Sequence, residues 1–179
     1  VVSQLKVNEI IKQSGSSITI GVDGDTVSGP FTNVPAFFAY ASADQTVSDA
    51  TETVIQINKT LKDTNTGFNT STYRYVIPVA GTYCFYGTAR LESSTAGDVG
   101  DANLKIRKNG SDVIQIFENY SGNNIKASNP FGSVILQCVV NDYIDMTAYI
   151  NVGSGTPKID TNGDSSYRTY LAGYKLIGA

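Results

Sequence analysis

The sequence contains no histidine and no tryptophan among its 179 residues. Histidine is the side chain that proteins use most often as a general base and as a metal ligand. Its absence excludes catalysis by a Ser-His-Asp or a Cys-His arrangement. We therefore expect a protein that is not an enzyme of these kinds.

Charged residues are scarce as well: they make up 16 % of the chain, whereas soluble domains usually contain about 25 %. The net charge is −3, and the densest basic run is Lys105-Ile106-Arg107-Lys108, whose alternation is typical of a strand that enters a turn. Nucleic-acid binding needs clustered lysine and arginine side chains. We therefore expect no nucleic-acid partner.

Long hydrophobic runs are missing, since no apolar segment approaches the roughly 18 residues that a membrane-spanning helix needs. The first residues, Val1 to Gln4, lack the basic segment and the following apolar segment of a signal peptide. The sequence therefore predicts neither a membrane span nor a signal peptide.

Cysteine is limited to Cys84 and Cys138, whose separation is far from CxxC spacing or any zinc-ligand spacing. Each lies in a strand-like run. Two interpretations stay open at this stage. The cysteines are either two small, partly buried thiols or the halves of one disulfide, which needs Cα atoms within about 7 Å.

The abundant residues are serine, threonine, asparagine and glycine, together with 11 tyrosines and 7 phenylalanines. Such a surface is typical of β-rich extracellular or virion proteins. From Ala36 onward, short runs with the alternation of β-strands are separated by turn residues, and no stretch has a convincing helical period. The sequence predicts an all-β sandwich or barrel of about eight to ten strands.

The chain divides into two regions by composition. Residues 1–33 form short strand-like runs between tight turns such as Asp23-Gly24, and they contain too few apolar groups for a core of their own. We expect them to be an extended segment that anchors or oligomerises the chain. Residues 34–179 are predicted to form the main domain.

The most informative stretch is 68–87, which reads as a hairpin-like unit of strand, corner and strand. Pro78 and Gly81 form the corner, because proline lacks a backbone donor and glycine allows positive φ. Large side chains stand at alternate positions on both sides of it: Tyr73, Tyr75, Ile77, Tyr83, Phe85. A separate hairpin is predicted at Asn109-Gly110, between strands near 103–107 and 113–117.

The spacing in and around this stretch resembles the signature of the C1q/TNF-like jelly-roll domain. Ile57 stands where that signature has its first phenylalanine, Tyr75 where it has its second, and Gly87 where it ends on an aromatic residue. The positions that carry the resemblance are Asp63, Phe68, Tyr75, Gly81, Tyr83, Phe85. The resemblance covers residues 36–178. It implies a jelly-roll sandwich of about ten antiparallel strands and a homotrimer.

The segment 14–27 is similar to the short β-segments that precede receptor-binding or decorating heads in tailed phages. The combined resemblance implies a virion structural protein: a fibre, collar or capsid-decoration component whose N-terminal segment contacts other virion proteins and whose head attaches to a host surface. The alternative is a secreted C1q-like protein that binds a glycan or protein ligand outside the cell.

Three loops, 92–101, 119–130 and 151–166, are the expected places for ligand contacts, because loops on a rigid scaffold carry recognition. Tyr120 and Tyr167 are candidates for stacking on a saccharide, and equally for the rim of a trimer contact. A cofactor is not expected, apart from calcium. In the third loop, Asp160, Asn162 and Asp164 stand at alternate positions and are candidate oxygen ligands for calcium. Asp98 and Asp101 are a second option.

An enzymatic interpretation rests on Glu92, Asp98 and Asp101, which could act as paired carboxylates in sugar hydrolysis. A solvated acidic loop explains the same residues more simply. We therefore predict that the protein is not an enzyme.

Overall fold

The computed structural model describes residues 34–120, 122–161 and 166–176. The N-terminal segment 1–33 and two candidate calcium ligands, Asn162 and Asp164, lie outside these residues. The described residues form fifteen strands, more than predicted because several are only two residues long. They are β1 Ala36–Tyr40, β2 Gln45–Thr46, β3 Thr53–Val54, β4 Lys59–Asp63, β5 Phe68–Asn69, β6 Arg74–Val76, β7 Gly81–Thr88, β8 Arg90–Ser93, β9 Val99–Lys108, β10 Ser111–Asn119, β11 Ala127–Ser128, β12 Phe131–Cys138, β13 Tyr143–Val152, β14 Pro157–Asp160 and β15 Tyr170–Lys175.

Three antiparallel sheets contain these strands. The five-stranded sheet has the order β12-β7-β15-β1-β4, and the six-stranded sheet has the order β10-β9-β13-β6-β5 with β3 added beside β13. A smaller sheet, β11-β8-β14-β2, follows where β7 and β13 end. In the described ranges no helix is long and apolar enough to cross a membrane. The all-β prediction is confirmed.

The Asn109-Gly110 hairpin forms as predicted between β9 and β10. Asn109 has φ 52° and Gly110 has φ 81°, the two positive values that a tight turn between right-twisted strands requires. The Asn109 side chain accepts a hydrogen bond from the Tyr143 backbone N–H at 2.9 Å and donates one to Asp142 Oδ1 at 2.7 Å. The turn is therefore fixed to the neighbouring strand.

The stretch 68–87 is not a hairpin. β6 pairs with β13 and β5 in the six-stranded sheet, whereas β7 pairs with β12 and β15 in the five-stranded sheet. The corner at Pro78 carries the chain from one sheet to the other, and Gly81 has φ 149°. The alternation on each side was predicted correctly, but alternation does not say which sheet a strand joins.

The core lies between the two larger sheets. The Phe37 ring of β1 stacks on Tyr75 of β6 with centroids 3.9 Å apart, and the Tyr83 and Phe85 rings of β7 lie 5.6 Å apart and nearly parallel. Tyr75, Tyr83 and Phe85 are fully buried. Each such side chain contributes roughly 2–3 kcal/mol when it leaves water, so these rings hold the sheets together.

Gly87 of β7 faces Met146 of β13 across the core. A Cβ atom at position 87 would lie 2.4 Å from Met146 Sδ and 3.0 Å from the Tyr170 carbonyl oxygen. Met146 is buried and is the only methionine of the sequence. A side chain at position 87 would therefore displace Met146 and crowd the Tyr170 backbone, and glycine avoids both contacts.

The two cysteines are free. Cys84 lies opposite Ile135, on the outer face of the five-stranded sheet, whereas Cys138 lies opposite Gly81 and is buried. Their side chains lie on different faces of one sheet, because inward and outward positions alternate along a strand. The disulfide interpretation is therefore wrong for this fold.

Candidate functional site

The outer surface of the five-stranded sheet carries a cluster of aromatic rings, which we call the aromatic face. The register places the outward positions of β1, β7 and β15 side by side, for example Phe38 opposite Ala172 and Ala172 opposite Tyr86. Tyr167 joins them from the loop before β15. The aromatic face comprises Phe38, Tyr40, Tyr86, Tyr167, Tyr170, Tyr174.

The rings of the aromatic face contact one another. Phe38 stacks on Tyr170 with centroids 4.9 Å apart, and Tyr167 meets Phe38 and Tyr40 edge-on at 5.6 and 4.7 Å. Tyr86 lies 6.4 Å from Tyr170, also edge-on. Burial raises the pKa of Tyr170. Offset and edge-on pairs are the arrangements that aromatic rings prefer, so these contacts stabilise the cluster.

Tyr167 has φ 44°, a left-handed conformation that is rare for a bulky residue. Such a conformation persists only where the surroundings enforce it. Its ring contacts with Phe38 and Tyr40 supply that constraint. Tyr167 is therefore part of the aromatic face, and the two roles that the sequence suggested for it stay predictions.

The apolar surface continues onto β12, the edge strand beside β7. Phe131 is 56 % exposed and Ile135 is 63 % exposed, and Ile135 lies opposite Cys84. Tyr174 on β15 is 44 % exposed. Clusters of exposed apolar side chains mark surfaces that contact other molecules.

Tyr120 lies elsewhere, at the end of β10. Its hydroxyl donates a hydrogen bond to Glu118 Oε2 at 2.6 Å, and the same carboxylate accepts a very short bond from the Ser128 hydroxyl. Burial raises the pKa of Tyr120. The structure thus does not bring Tyr120 together with Tyr167, and its hydroxyl is already used within the fold.

The outer surface of the six-stranded sheet has the opposite character, and we call it the charged face. Asp145, with no exposed surface, accepts two bonds from Arg107 at 2.8 and 2.9 Å and one from Arg74 at 3.2 Å. These bonds raise the pKa of Arg107. Arg74 also lies 4.1 Å from the centre of the Tyr143 ring. The buried carboxylate is fully compensated.

Lys105 extends the charged face. Its Nζ lies 2.6 Å from Glu52 and 2.9 Å from Asp112. The bond to Lys105 holds the pKa of Glu52 below its ordinary value, and the same two carboxylates raise the pKa of Lys105. Glu52 also accepts a bond from the Thr147 hydroxyl at 2.9 Å. The charged face is therefore occupied by its own partners.

Asp160 is the described member of the first set of candidate calcium ligands, and it belongs to an ion-pair cluster on the four-stranded sheet. Its Oδ2 lies 2.8 Å from Arg168 and 3.3 Å from Arg90, and its Oδ1 lies 3.2 Å from Lys158. Glu92 joins through Arg90 at 3.1 Å and Lys158 at 3.0 Å. Within the ranges that the structure describes, no group of three His, Cys, Asp or Glu side chains could hold a metal ion. Calcium binding at Asp160 stays a prediction.

The acidic loop at 92–101 is shorter than predicted, because Glu92 lies within β8 and Asp101 lies within β9. Asp98 accepts a bond from the Ser154 backbone at 2.5 Å, and Asp101 accepts bonds from Asn119 at 2.5 Å and Asn151 at 3.0 Å. The three carboxylates of the enzymatic interpretation thus each hold a separate part of the fold.

The sequence and the fold are similar to those of known proteins. The family model of the C1q domain matches residues 36–172. No curated protein matches the chain. Solved structures do: the globular domain of zebrafish complement 1qA protein has a TM-score of 0.56 at 14 % identity, and 80 % of this chain and 98 % of that chain are covered.

Two TNF-type structures are similar to the same extent. Eiger TNF from S. frugiperda has a TM-score of 0.55 at 13 % identity, with 82 % of this chain and 93 % of that chain covered. Murine APRIL has a TM-score of 0.56 at 11 % identity, with 80 % and 99 % covered. At these identities the likeness establishes the fold, which is the C1q/TNF-like jelly roll.

Proposed function

The chain belongs to the C1q domain family, and from this premise we propose that it is a non-enzymatic, trimeric head domain of a virion structural protein. Domains of the C1q and TNF type commonly form homotrimers and bind ligands. The observation that carries the trimer is the aromatic face, which the described part of one chain leaves uncovered by any strand.

The aromatic face supplies what a stable contact between copies needs. Aromatic side chains provide large apolar area at low conformational cost, and they are enriched in protein interfaces. Phe131 and Ile135 on the edge strand β12 offer a second apolar surface beside it. When the edge strand of one copy packs against the aromatic face of the next, the contact is head-to-tail, and three such contacts close a ring.

The virion role rests on the N-terminal sequence. Segment 14–27 is similar to the segments that precede heads in tailed phages, and residues 1–33 would attach the head to a fibre, collar or capsid. Host attachment then falls to loops of the head.

A secreted C1q-like binding protein would use the same head, and the domain itself supports both placements equally. Immunogold electron microscopy of particles from the source organism separates them. Label at one repeated position on a particle supports the virion role, whereas label only in the culture medium supports secretion.

Light scattering coupled to gel filtration tests the trimer. We expect a mass three times the 19.1 kDa of one chain. A monomer mass at micromolar concentration would contradict the proposal.

A matched pair of variants assigns the contact to the edge strand. Ile135→Lys places a charge on the outer surface of β12 and is expected to give the monomer mass. Val139→Lys changes a residue of similar exposure, 59 % against 63 %, in the turn beyond β12, and is expected to leave the trimer intact. Circular dichroism confirms that both variants fold; equal effects on mass would contradict the assignment.

A further inference from the structure

A cavity of about 570 Å³ opens at the end of the domain where the corner between β6 and β7 lies. Three segments far apart in sequence line it: residues 65–70, residues 76–78 and the turn at 140–141. None of its lining residues is charged. It shares no residue with the aromatic face.

The walls of the cavity are held in place by hydrogen bonds, most of them to residues that do not line it. Asp63 accepts bonds from the backbone N–H groups of Gly67 at 3.1 Å and Phe68 at 2.8 Å. Asp142 accepts one from Val139 at 2.8 Å, and the Asn141 backbone N–H donates to the Ile77 carbonyl at 3.1 Å. The cavity therefore exists before any ligand arrives, which reduces the entropic cost of binding.

The polar groups of the lining are largely unused. Thr66, Thr70 and Asn141 are exposed, and the structure records no side-chain hydrogen bond for these three. Asn69 accepts bonds from Ser71 and Thr72 through Oδ1, which leaves its amide N–H groups available. Hydroxyl and amide groups both donate and accept, so the cavity offers several neutral hydrogen-bonding sites within one space.

Aliphatic residues also line the cavity. They are Ile77, Pro78 and Val140, of which Val140 is 50 % exposed and Ile77 is buried. The Tyr75 hydroxyl is buried without a partner among the described residues. It lies next to the lining, because Tyr75 Cζ is 3.1 Å from where a Cβ of Gly67 would be. A few convergent polar groups beside an apolar wall are the usual composition of a small-ligand site.

We propose that this cavity binds a neutral saccharide. A sugar ring presents hydroxyl groups that donate and accept at its edge and C–H groups on its face, which match the amide and hydroxyl groups and the aliphatic groups of the lining. The uncharged lining gives no oppositely charged partner to an acidic or basic ligand. The lining shares no residue with the aromatic face, so the saccharide site and the trimer contact can be tested separately.

Nuclear magnetic resonance titration of the ¹⁵N-labelled full chain tests this. The probes are the methyl glycosides of glucose, galactose, mannose and N-acetylglucosamine, with glucuronic acid as the charged comparison. We expect at least one neutral probe to give saturable shifts of the backbone signals of Thr66, Gly67, Thr70 and Asn141. Glucuronic acid is expected to bind no tighter.

Two threonines of the same turn provide a matched pair. Thr70→Val removes a hydroxyl that lines the cavity, whereas Thr72→Val removes one that does not. Thr70→Val is expected to weaken binding about fivefold, as loss of one hydrogen bond does, and Thr72→Val to leave it unchanged. Asn141→Gly provides a second test, since glycine tolerates the φ of 72° while the amide is lost.

The proposal would be overturned if no probe gave saturable shifts up to about 100 mM. A dissociation constant of that size, equivalent to a binding free energy near −1.4 kcal/mol, is still detected at this concentration. The proposal would also be overturned by saturable shifts confined to other parts of the chain, tighter binding of glucuronic acid, or equal weakening by Thr70→Val and Thr72→Val. The oligomeric mass is measured separately, so failure of the saccharide site and failure of the trimer are distinguishable.

Discussion

The two large sheets have the same alternation of inward and outward side chains, yet their outer surfaces differ in the side chains that dominate them. On the six-stranded sheet, Asp145 is enclosed by Arg107 and Arg74, and Lys105 lies between Glu52 and Asp112. On the five-stranded sheet, Phe38, Tyr86 and Tyr170 form ring pairs beside exposed apolar residues.

The difference shows how each surface meets its surroundings. Charges paired within one chain leave little to offer a partner, and exposed ion pairs contribute little to stability on their own. Apolar rings gain free energy only when something covers them. The charged face is therefore already paired within one chain, whereas the aromatic face is the surface that the proposed trimer would cover.

The largest expected effect concerns the charged face. Asp145→Ala leaves two guanidinium groups beside a buried gap, and we expect the free energy of unfolding to fall by about 3–5 kcal/mol. Asp112→Ala removes an exposed partner of Lys105 and is expected to cost less than about 1 kcal/mol. Urea denaturation measures both. Similar losses for the two variants would mean that burial does not set the strength of these pairs.

A pair of phenylalanines compares the two faces directly. Phe38→Ala removes a ring that stacks on Tyr170, and we expect a loss of about 1–2 kcal/mol per chain together with partial dissociation of the trimer. Phe117 is 55 % exposed on the outer surface of β10, and Phe117→Ala is expected to change stability by less than about 0.5 kcal/mol. Thermal unfolding and light scattering give the two readouts, and equal effects would remove the distinction between the faces.

Lowering the pH is expected to change the free energy of unfolding by less than the largest of these substitutions does. The pKa of Glu52 lies below its ordinary value of 4.5, through its bond to Lys105, and the pKa of Asp142 is lowered to about 2, through Lys108 and then the Val139 N–H. Groups with a depressed pKa stabilise the fold above their unfolded pKa and lose that effect as the pH falls through the folded value.

We therefore expect stability to hold from pH 7 to about 5 and to fall between about 4.5 and 2. The lowered pKa of Asp142 corresponds to about 2.4 kcal/mol, which solvent screening of its ion pair with the partly exposed Lys108 reduces to about 1 kcal/mol. Urea midpoints across this range measure the fall. Asp142→Asn should show less acid dependence between pH 4 and 2 than the parent chain. An unchanged slope would show that other carboxylates dominate.

Local sequence features predicted much of the fold. The Asn109-Gly110 dipeptide predicted the β9–β10 hairpin, because only a few residues accept positive φ twice in succession. The spacing of Gly81, Tyr83 and Phe85 identified the family. The same local information could not assign β6 and β7 to different sheets, since strand pairing is decided by contacts such as Tyr143 with Val76, far apart in the chain.

The candidate site was harder to predict for the same reason. Tyr167 was singled out, but its neighbours Phe38 and Tyr40 are more than 120 residues away, and the strand alternation does not say which face turns outward. The pattern in the sequence that could have indicated the aromatic face is the occurrence of aromatic residues at alternate positions of both β1 and β15. The cavity was not foreseen, because it joins a turn near Thr70 to one at Asn141.

Gly87 is the position where this chain lacks the final aromatic residue of the family signature, and Met146 fills the space above it. The two positions therefore exchange volume across the core. A side chain at position 87 would displace Met146 and crowd the Tyr170 carbonyl oxygen, whereas a smaller residue at 146 alone would leave a void above Gly87. The packing of the core at this point therefore depends on the two residues together.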